Sequence, residues 1–195
     1  ESQNALKHLD NSNSIICLDG ATNKLIDFGK EPSLIIGDLD SIKPEYKKKY
    51  HGIIIKKTNQ NRSDLRKALD WLNKHKYKDV KIIGAAGDRE DHFIANIFGI
   101  LDTNYSIDIQ LITDFGVFQI LKKGAHTIPS YAGQVISFFT SKNPAKVSAS
   151  LLKYSFINKY ISDSFSYTLN ESLSESFNVD VQKGKVLLFT GHKNK

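Results

Sequence analysis

The sequence has little sulfur, with one cysteine and no methionine among its 195 residues. Because a disulfide needs two thiols, none can form within this chain. Cys17 lies in the apolar run 15–18, where a cysteine packs as a small hydrophobic side chain. Disulfides belong mainly to oxidising compartments, so a single thiol fits the reducing cytoplasm, and we expect that location.

Long apolar runs are also missing. No segment approaches the ~20 apolar residues that a membrane-spanning helix needs, so we expect no membrane partner. The sequence starts at Glu1 without an initiator methionine. Its first residues do not combine a charged head with an apolar stretch, so they do not predict a signal peptide.

Arginine is scarce, and lysine supplies most of the formal net charge of +6. A basic chain raises the hypothesis of nucleic-acid binding. However, no basic segment is interleaved with the stacking aromatic residues that single-strand binders use. Lysines scattered among Asn and Ser favour a solvated surface, so we expect no nucleic-acid partner and rank that function last.

Up to about residue 113, short apolar runs alternate with helical patterns, which is typical of an α/β fold with a mostly parallel sheet. The pattern predicts strands at 15–18, 34–36, 53–55, 80–83 and 107–112, and helices at 21–28, 63–74 and 93–101. The helix at 63–74 has Ser63 as a good N-cap and Asp64 in its first turn. Residues 1–113 are therefore predicted to form an α/β domain.

After residue 113 the helix-length patterns end. Short alternating segments follow, separated by Gly, Pro, Asn and Ser, at 116–121, 134–140, 146–151, 177–181 and 186–190. Such segments are typical of a small antiparallel β-sandwich or barrel. We therefore predict a second, β domain at 114–195.

Polar residues follow four of the predicted strands. Ligands of open parallel sheets bind at the carboxyl ends of the strands, where these side chains would meet. They are Asp19 after the first strand, Asp38, Asp40 and Ser41 after the second, 59–64 after the third and 84–92 after the fourth. Two acids around one residue can cap a turn, but they also suit Mg²⁺. Because acids recur at the same edge, the sequence predicts a metal-and-phosphate site there.

The segment 84–92 combines small residues, Arg89, Asp91 and His92 just before a helix. Small residues and a helix N-terminus favour phosphate, and an arginine fork binds it in two places. The glycine spacing fits neither a Walker A loop nor a dinucleotide fingerprint. Asp91 and His92 are either helix-capping or catalytic residues. The remaining histidines form no closely spaced set, so zinc is not expected.

Four blocks of this sequence resemble the motifs of the thiamine pyrophosphokinase family, in the same order. They are Asp19-Gly20-Ala21-Thr22-Asn23, Ile36-Gly37-Asp38-Leu39-Asp40-Ser41, Asn59-Gln60-Asn61-Arg62-Ser63-Asp64-Leu65, and the stretch 84–96. Fainter similarity follows at Leu152-Lys153-Tyr154 and Thr168-Leu169-Asn170-Glu171. The resemblance covers almost the whole chain.

The resemblance implies transfer of pyrophosphate from ATP to the thiamine hydroxyl, with Mg²⁺ as cofactor and AMP as the second product. It implies a homodimer, and a first α/β strand that would precede this sequence. It also implies roles for individual residues. The catalytic residues would be Asp38, Asp40, Asp64 and Asp91, and the metal would bind to Asp38, Asp40 and Asp64. ATP would be contacted by Asp19, Ser41, Gln60, Ser63, Arg89 and His92. Thiamine would be bound by Tyr154, Thr168 and Asn170. The Tyr154 ring offers an aromatic face to the cationic thiazolium.

The sequence departs from the family pattern in two ways. Ala21, Asp88 and Ser150 stand where the family favours glycine, and Asn59 stands where an acid is common. Asp88 would repel a phosphate unless its carboxylate points away or meets Mg²⁺. Two alternatives stay open. One is a pyrophosphokinase of the same fold acting on another alcohol, such as hydroxymethyl dihydropterin. The other is a non-catalytic thiamine- or nucleotide-binding sensor.

Overall fold

The computed structural model describes residues 3–59, 61–86, 89–163 and 165–193, with side chains from residue 6 onward. The chain divides into two compact units. The N-terminal unit is Leu6–Tyr77 with Tyr105–Ile107, and the C-terminal unit is Lys78–Asn104 and Asp108–Lys195 with Glu1–Ala5. Among the described residues, none of the helices has the length and apolar character needed to cross a membrane.

The N-terminal unit is built on a three-stranded parallel sheet with the order β1-β2-β3. Its elements are α1 (Gln3–Asp10) from Leu6 onward, β1 (Ile16–Leu18), α2 (Ala21–Asp27), β2 (Leu34–Gly37), α3 (Pro44–Lys49), a 3-10 turn (His51–Ile53), β3 (Ile54–Lys56) and α4 (Asp64–Lys74). Cys17, Leu25, Ile35, Ile42 and Tyr50 form one buried cluster. The helix α4 packs against β1 and β2 and buries Leu65, Ala68, Leu69 and Leu72.

The predicted helices and strands of this unit are confirmed to within a few residues. Ser63 caps α4 as predicted, because its Oγ accepts a hydrogen bond from the Arg66 N–H at 3.4 Å. Two helices, α1 and α3, were not predicted. The signal for α3 was Pro44 at its first position, where proline is preorganised for a helix and its missing N–H costs nothing.

The C-terminal unit contains a six-stranded mixed sheet and a four-stranded antiparallel sheet. Its elements are β4 (Asp79–Ile82), α5 (Glu90–Asp102), β5 (Asp108–Ile112), β6 (Gly116–Leu121), β7 (Gly124–Pro129), β8 (Val135–Phe139), β9 (Ala145–Ser150), β10 (Phe156–Ile161), β11 (Asn170–Glu171), β12 (Ser176–Lys183) and β13 (Val186–Gly191). The strand orders are β11-β8-β13-β6-β5-β4 and β10-β9-β12-β7. Phe138 and Leu188 of the first sheet and Val147 and Val181 of the second share one buried core, as expected for a sandwich.

The expectation of one mostly parallel sheet before residue 113 is met only in part. The strands β1–β3 form one parallel sheet, and β4 and β5 pair in parallel in a different, mixed sheet. The cause is the turn at Thr113, which folds β6 back antiparallel onto β5. There the Thr113 N–H donates to the Gly116 carbonyl at 2.9 Å, and the Gly116 N–H donates to Thr113 Oγ1 at 3.1 Å. The described residues after the third predicted strand thus do not extend the first sheet.

The contact boundary between the units lies at Tyr77 and Lys78 rather than near residue 113. The division of function between residues 1–113 and 114–195 stays a prediction.

Candidate active site

Three acids meet at the carboxyl end of the parallel sheet in the N-terminal unit. Asp19 follows β1, and Asp38 and Asp40 follow β2. Each offers a carboxylate oxygen, and these oxygens lie within 4.8 Å of one another. We call Asp19, Asp38 and Asp40 the acid cluster. Asp19 is buried, Asp38 is partly buried and Asp40 is exposed, so the cluster opens to solvent on one side.

The backbone brings the two strand ends unusually close together. A Cβ atom on Gly37 would lie 2.9 Å from the Cβ atom of Asp19, closer than such atoms approach, so glycine is required there. Asp19 donates its N–H to the Ile36 carbonyl at 3.1 Å. Leu39 lies between Asp38 and Asp40 and has a φ of 70°, a left-handed conformation that costs free energy for a residue with a side chain. This turn, rather than an extended strand, sets the directions of Asp38 and Asp40.

Asn23 fixes the loop that follows the acids. Its Nδ2 donates to the Ser41 carbonyl at 2.9 Å, and its Oδ1 accepts the Lys43 N–H at 3.1 Å. The Ser41 N–H donates to Asp19 Oδ2 at 3.1 Å. Asn23 was recognised as part of a motif but received no role from the sequence. Its contacts show that it connects α2 to the loop carrying the acid cluster.

The charges of the acid cluster are only partly compensated. Burial raises the pKa of Asp19, and the neighbouring Asp40 carboxyl raises it further. The Ser41 hydroxyl, 2.7 Å from Asp40 Oδ1, lowers the pKa of Asp40. Asp19 Oδ1 is buried and has no hydrogen-bond partner among the described residues. A buried, unpaired carboxylate oxygen beside two other hard oxygen donors is an arrangement that a divalent cation fits.

Lys67 was not identified from the sequence, although it belongs to the site. Its Nζ donates to Asp64 Oδ1 at 2.8 Å and to Asp38 Oδ2 at 3.4 Å. Hydrogen bonding to Asp64 is the main cause that raises the pKa of Lys67. Asp64 thus meets Lys67 rather than joining the acid cluster, and its role as a metal ligand stays a prediction. The available signal was a lysine one helical turn after Asp64.

The loop before α4 carries further predicted contacts. Gln60 lies outside the described residues. Asn59 is exposed, and its Oδ1 accepts the Asn61 N–H at 2.9 Å. Arg62 forms an ion pair with Asp70 of α4, and Asp70 also accepts a hydrogen bond from the Tyr105 hydroxyl at 3.1 Å. The loop is therefore attached to α4 at Ser63 and through Arg62, while its predicted phosphate contacts stay predictions.

In the C-terminal unit, Arg89 and Asp91 lie together just before and inside α5. The guanidinium meets the carboxylate twice, with Nε–Oδ1 at 3.0 Å and Nη2–Oδ2 at 2.6 Å. The guanidinium lowers the pKa of Asp91 to about 2. Both side chains and His92 are exposed, while Gly87 and Asp88 lie outside the described residues. In this conformation the fork predicted to bind phosphate is occupied by Asp91.

Two of the predicted thiamine-binding residues are neighbours in the C-terminal unit. The Asn170 side chain accepts the Tyr154 N–H at 3.1 Å and donates to the Tyr154 carbonyl at 2.9 Å. Asn170 is buried, whereas Tyr154 is 63% exposed and has Lys153 Nζ 5.8 Å from its ring centre. Thr168 donates its hydroxyl to the Phe165 carbonyl at 2.8 Å. Asn170 therefore holds the turn that presents the Tyr154 ring, and the three thiamine contacts stay predictions.

Comparisons with known proteins point to one family. A family model described as "Thiamin pyrophosphokinase, catalytic domain" matches residues 5–112. Thiamine pyrophosphokinase 1 of Oryza sativa subsp. japonica is 28% identical over 139 residues, covering 58% of this chain and 52% of the relative. Thiamine pyrophosphokinase of Bacillus subtilis (strain 168) is 30% identical over 120 residues, covering 58% and 55%. The chain spans about half the length of the curated relatives it matches.

Solved structures give the same result over a greater length. The structure of thiamine pyrophosphokinase from Bacillus subtilis has a TM-score of 0.81 and 25% identity, covering 97% of this chain and 93% of that one. Thiamin pyrophosphokinase from Candida albicans has a TM-score of 0.82 at 18% identity, covering 99% and 86%, and supports the fold alone. Since the family model matches more than half of the residues, the chain belongs to the thiamin pyrophosphokinase family.

Proposed function

We propose that this protein transfers pyrophosphate from ATP to thiamine. The thiamine hydroxyl oxygen attacks the β-phosphorus, the bond from that phosphorus to the α-phosphate oxygen breaks, and AMP leaves. The hydroxyl proton passes to a carboxylate of the site. Membership of the family supports the reaction, and the acid cluster could hold a cation that positions the phosphates and neutralises their charge, which is what phosphoryl transfer needs.

We propose Mg²⁺ as the cation of the acid cluster. The supporting observation is the buried Asp19 Oδ1, which has no hydrogen-bond partner among the described residues and lies beside Asp38 and Asp40. Mg²⁺ prefers one or two carboxylates plus water and substrate phosphates, and this donor set consists of hard oxygens. When bound, the ion neutralises charge on the phosphates of ATP. Asp64 would either bind this ion or face the thiamine hydroxyl.

The remaining predicted residues supply binding and orientation. Ser41, Gln60, Ser63, Arg89 and His92 would contact the phosphates, Asp91 would complete the catalytic set, and Tyr154, Thr168 and Asn170 would hold thiamine. Asp91 now accepts hydrogen bonds from Nε and Nη2 of Arg89, so this edge of the guanidinium can bind phosphate only after it leaves Asp91. A homodimer and a cytoplasmic location remain part of the proposal.

The test is product formation by the full chain. With ATP and Mg²⁺, thiamine should give equal amounts of AMP and thiamine pyrophosphate, and hydroxymethyl dihydropterin should give neither. Release of AMP with the pterin but not with thiamine would replace the proposed substrate. Absence of AMP release with both would sink the proposal.

A substitution separates an enzyme from a sensor. Asp40→Ala should lower turnover by about 100-fold or more, because a proposed ligand of the cation that neutralises the phosphates is lost. Asp27→Ala, an exposed acid at the end of α2, is the control and should keep wild-type turnover. Thiamine binding with no turnover in the wild-type chain would identify a sensor instead.

A further inference from the structure

The buried ammonium of Lys67 has no role in the reaction as proposed above. The Lys67 side chain is only 5% exposed, while those of Asp38 and Asp64 are 18% and 29% exposed. Asp38 faces Lys67 with Oδ2 and also belongs to the acid cluster. One lysine therefore connects the first turns of α4 to the loop that carries the proposed metal ligands.

The burial of Lys67 follows from its place on α4. Leu65, Ala68 and Leu69 are buried around it, and α4 packs against β2, the strand that Asp38 follows. Burying an ammonium costs free energy unless anions and hydrogen bonds compensate it. Asp38 and Asp64 supply both, at 3.4 Å and 2.8 Å.

We propose that Lys67 is a positioning residue whose ammonium occupies the place between Asp38 and Asp64 that a second divalent cation would otherwise take. The acid cluster then binds a single metal ion. Two-metal phosphoryl-transfer sites place their ions about 3.5–4 Å apart as a symmetric clamp on the reacting oxygens. Here Asp38 is shared between the acid cluster and a lysine instead. The fixed positive charge holds Asp38 in place before the metal binds and pairs with Asp64, which leaves Asp64 the second of its two proposed roles, that of facing the thiamine hydroxyl.

The first test counts metal ions on the full chain in the absence of nucleotide, using Mn²⁺ as the probe. Wild type should bind a single ion. Lys67→Met removes the charge and keeps an apolar stem, so Asp38 and Asp64 should bind a second ion. Lys74→Met, an exposed position on the last turn of α4, is the matched control and should bind as wild type does. Two ions on wild type, or no increase in Lys67→Met, would overturn the proposal.

The second test uses stability without metal, because Lys67→Met leaves two carboxylates unpaired. Lys67→Met should lower the urea midpoint, and adding Asp64→Asn should restore part of that loss. In the Mn²⁺ titration of the first test, the same double variant should again bind a single ion. Additive losses in the double variant would show that the two side chains do not act as a pair. A purely structural lysine would change stability without changing the number of ions.

This inference rests on the metal ion of the proposed function, but neither readout needs turnover. If thiamine gives no AMP while Lys67→Met still gains an ion, the reaction is wrong and the role of Lys67 stands. If AMP forms and the ion count does not change, the reaction stands and the role of Lys67 is wrong.

Discussion

A Cβ atom on Gly37 would lie 2.9 Å from the Cβ atom of Asp19, so the ends of β1 and β2 approach more closely than a side chain at residue 37 allows. The backbone N–H of Asp19 lies 3.3 Å from the same point, which leaves little room for adjustment. The acid cluster therefore depends on a glycine that contributes no ligand.

Gly37→Ala should separate the two strand ends and disturb the acid cluster. We expect a loss of about 1–3 kcal/mol in the free energy of unfolding, as for overpacking elsewhere, and weaker Mn²⁺ binding. Urea unfolding and Mn²⁺ titration measure the two effects. The control is Gly52→Ala, where a Cβ atom would meet nothing within 4 Å. Equal effects at both positions would contradict the argument.

Asp19→Asn should stabilise the metal-free protein and prevent stabilisation by metal. A raised pKa means that folded Asp19 holds its proton more tightly than unfolded Asp19, so its contribution to stability is lost as pH rises above the ordinary value of 3.8. At neutral pH the charged carboxylate is therefore unfavourable, and an amide removes the charge while keeping an oxygen for the Ser41 N–H.

Thermal melting between pH 4 and pH 8, with and without Mg²⁺, tests this expectation about Asp19. The variant should melt above wild type at pH 7 without metal, and the gap should narrow toward pH 4. Mg²⁺ should raise the melting temperature of wild type but not that of Asp19→Asn. Asp27→Asn serves as a control for removal of an exposed acid. A variant that melts clearly below wild type without metal would refute the expectation.

Asn23→Ala should loosen the loop behind the acid cluster. The variant loses the hydrogen bonds to the Ser41 carbonyl and the Lys43 N–H, which together stabilise the fold by roughly 1–3 kcal/mol. Asn23→Asp keeps the acceptor and loses the donor, so its urea midpoint should be intermediate. Asn11→Ala, which loses one exposed hydrogen bond to the Lys7 carbonyl, should change the midpoint least. The reverse order of midpoints would exclude this role of Asn23.

Tyr154→Ala should raise the KM for thiamine about tenfold, because a cation–π contact with the thiazolium would be lost. Tyr154→Phe keeps the ring and should stay close to wild type. The comparison residue is Tyr160, which lies on β10 and is exposed as Tyr154 is. Tyr160→Ala should leave the KM for thiamine unchanged. Steady-state kinetics at saturating ATP measure these values. An unchanged KM in Tyr154→Ala would remove this residue from the thiamine site.

The sequence predicted most of the secondary structure because its signals are local. The N-cap at Ser63, the apolar stripe of α4 and the alternation of β12 each arise from residues near one another in the chain. The strand β7 was missed since its sequence, Gly-Ala-His-Thr-Ile-Pro, combines weak alternation with a glycine and a proline. The pairing of β5 with β6 was also missed, because it depends on hydrogen bonds of Thr113 and not on periodicity.

The same distinction between local signals and long-range contacts applies to the site. Its acids were found because Asp19, Asp38 and Asp40 directly follow apolar strands and fall in motifs that resemble one family. Asn23 received no role, since its partners lie 18 and 20 residues away and are defined only by folding. Lys67 was missed although Asp64 lies three residues before it, and its second partner, Asp38, is 29 residues away. The sequence by itself determined which acids reach the end of the sheet. Only the tertiary structure decided that Asp19 is buried with an unpaired oxygen and that Asp64 meets a lysine, because burial and charge pairing depend on distances between separate elements.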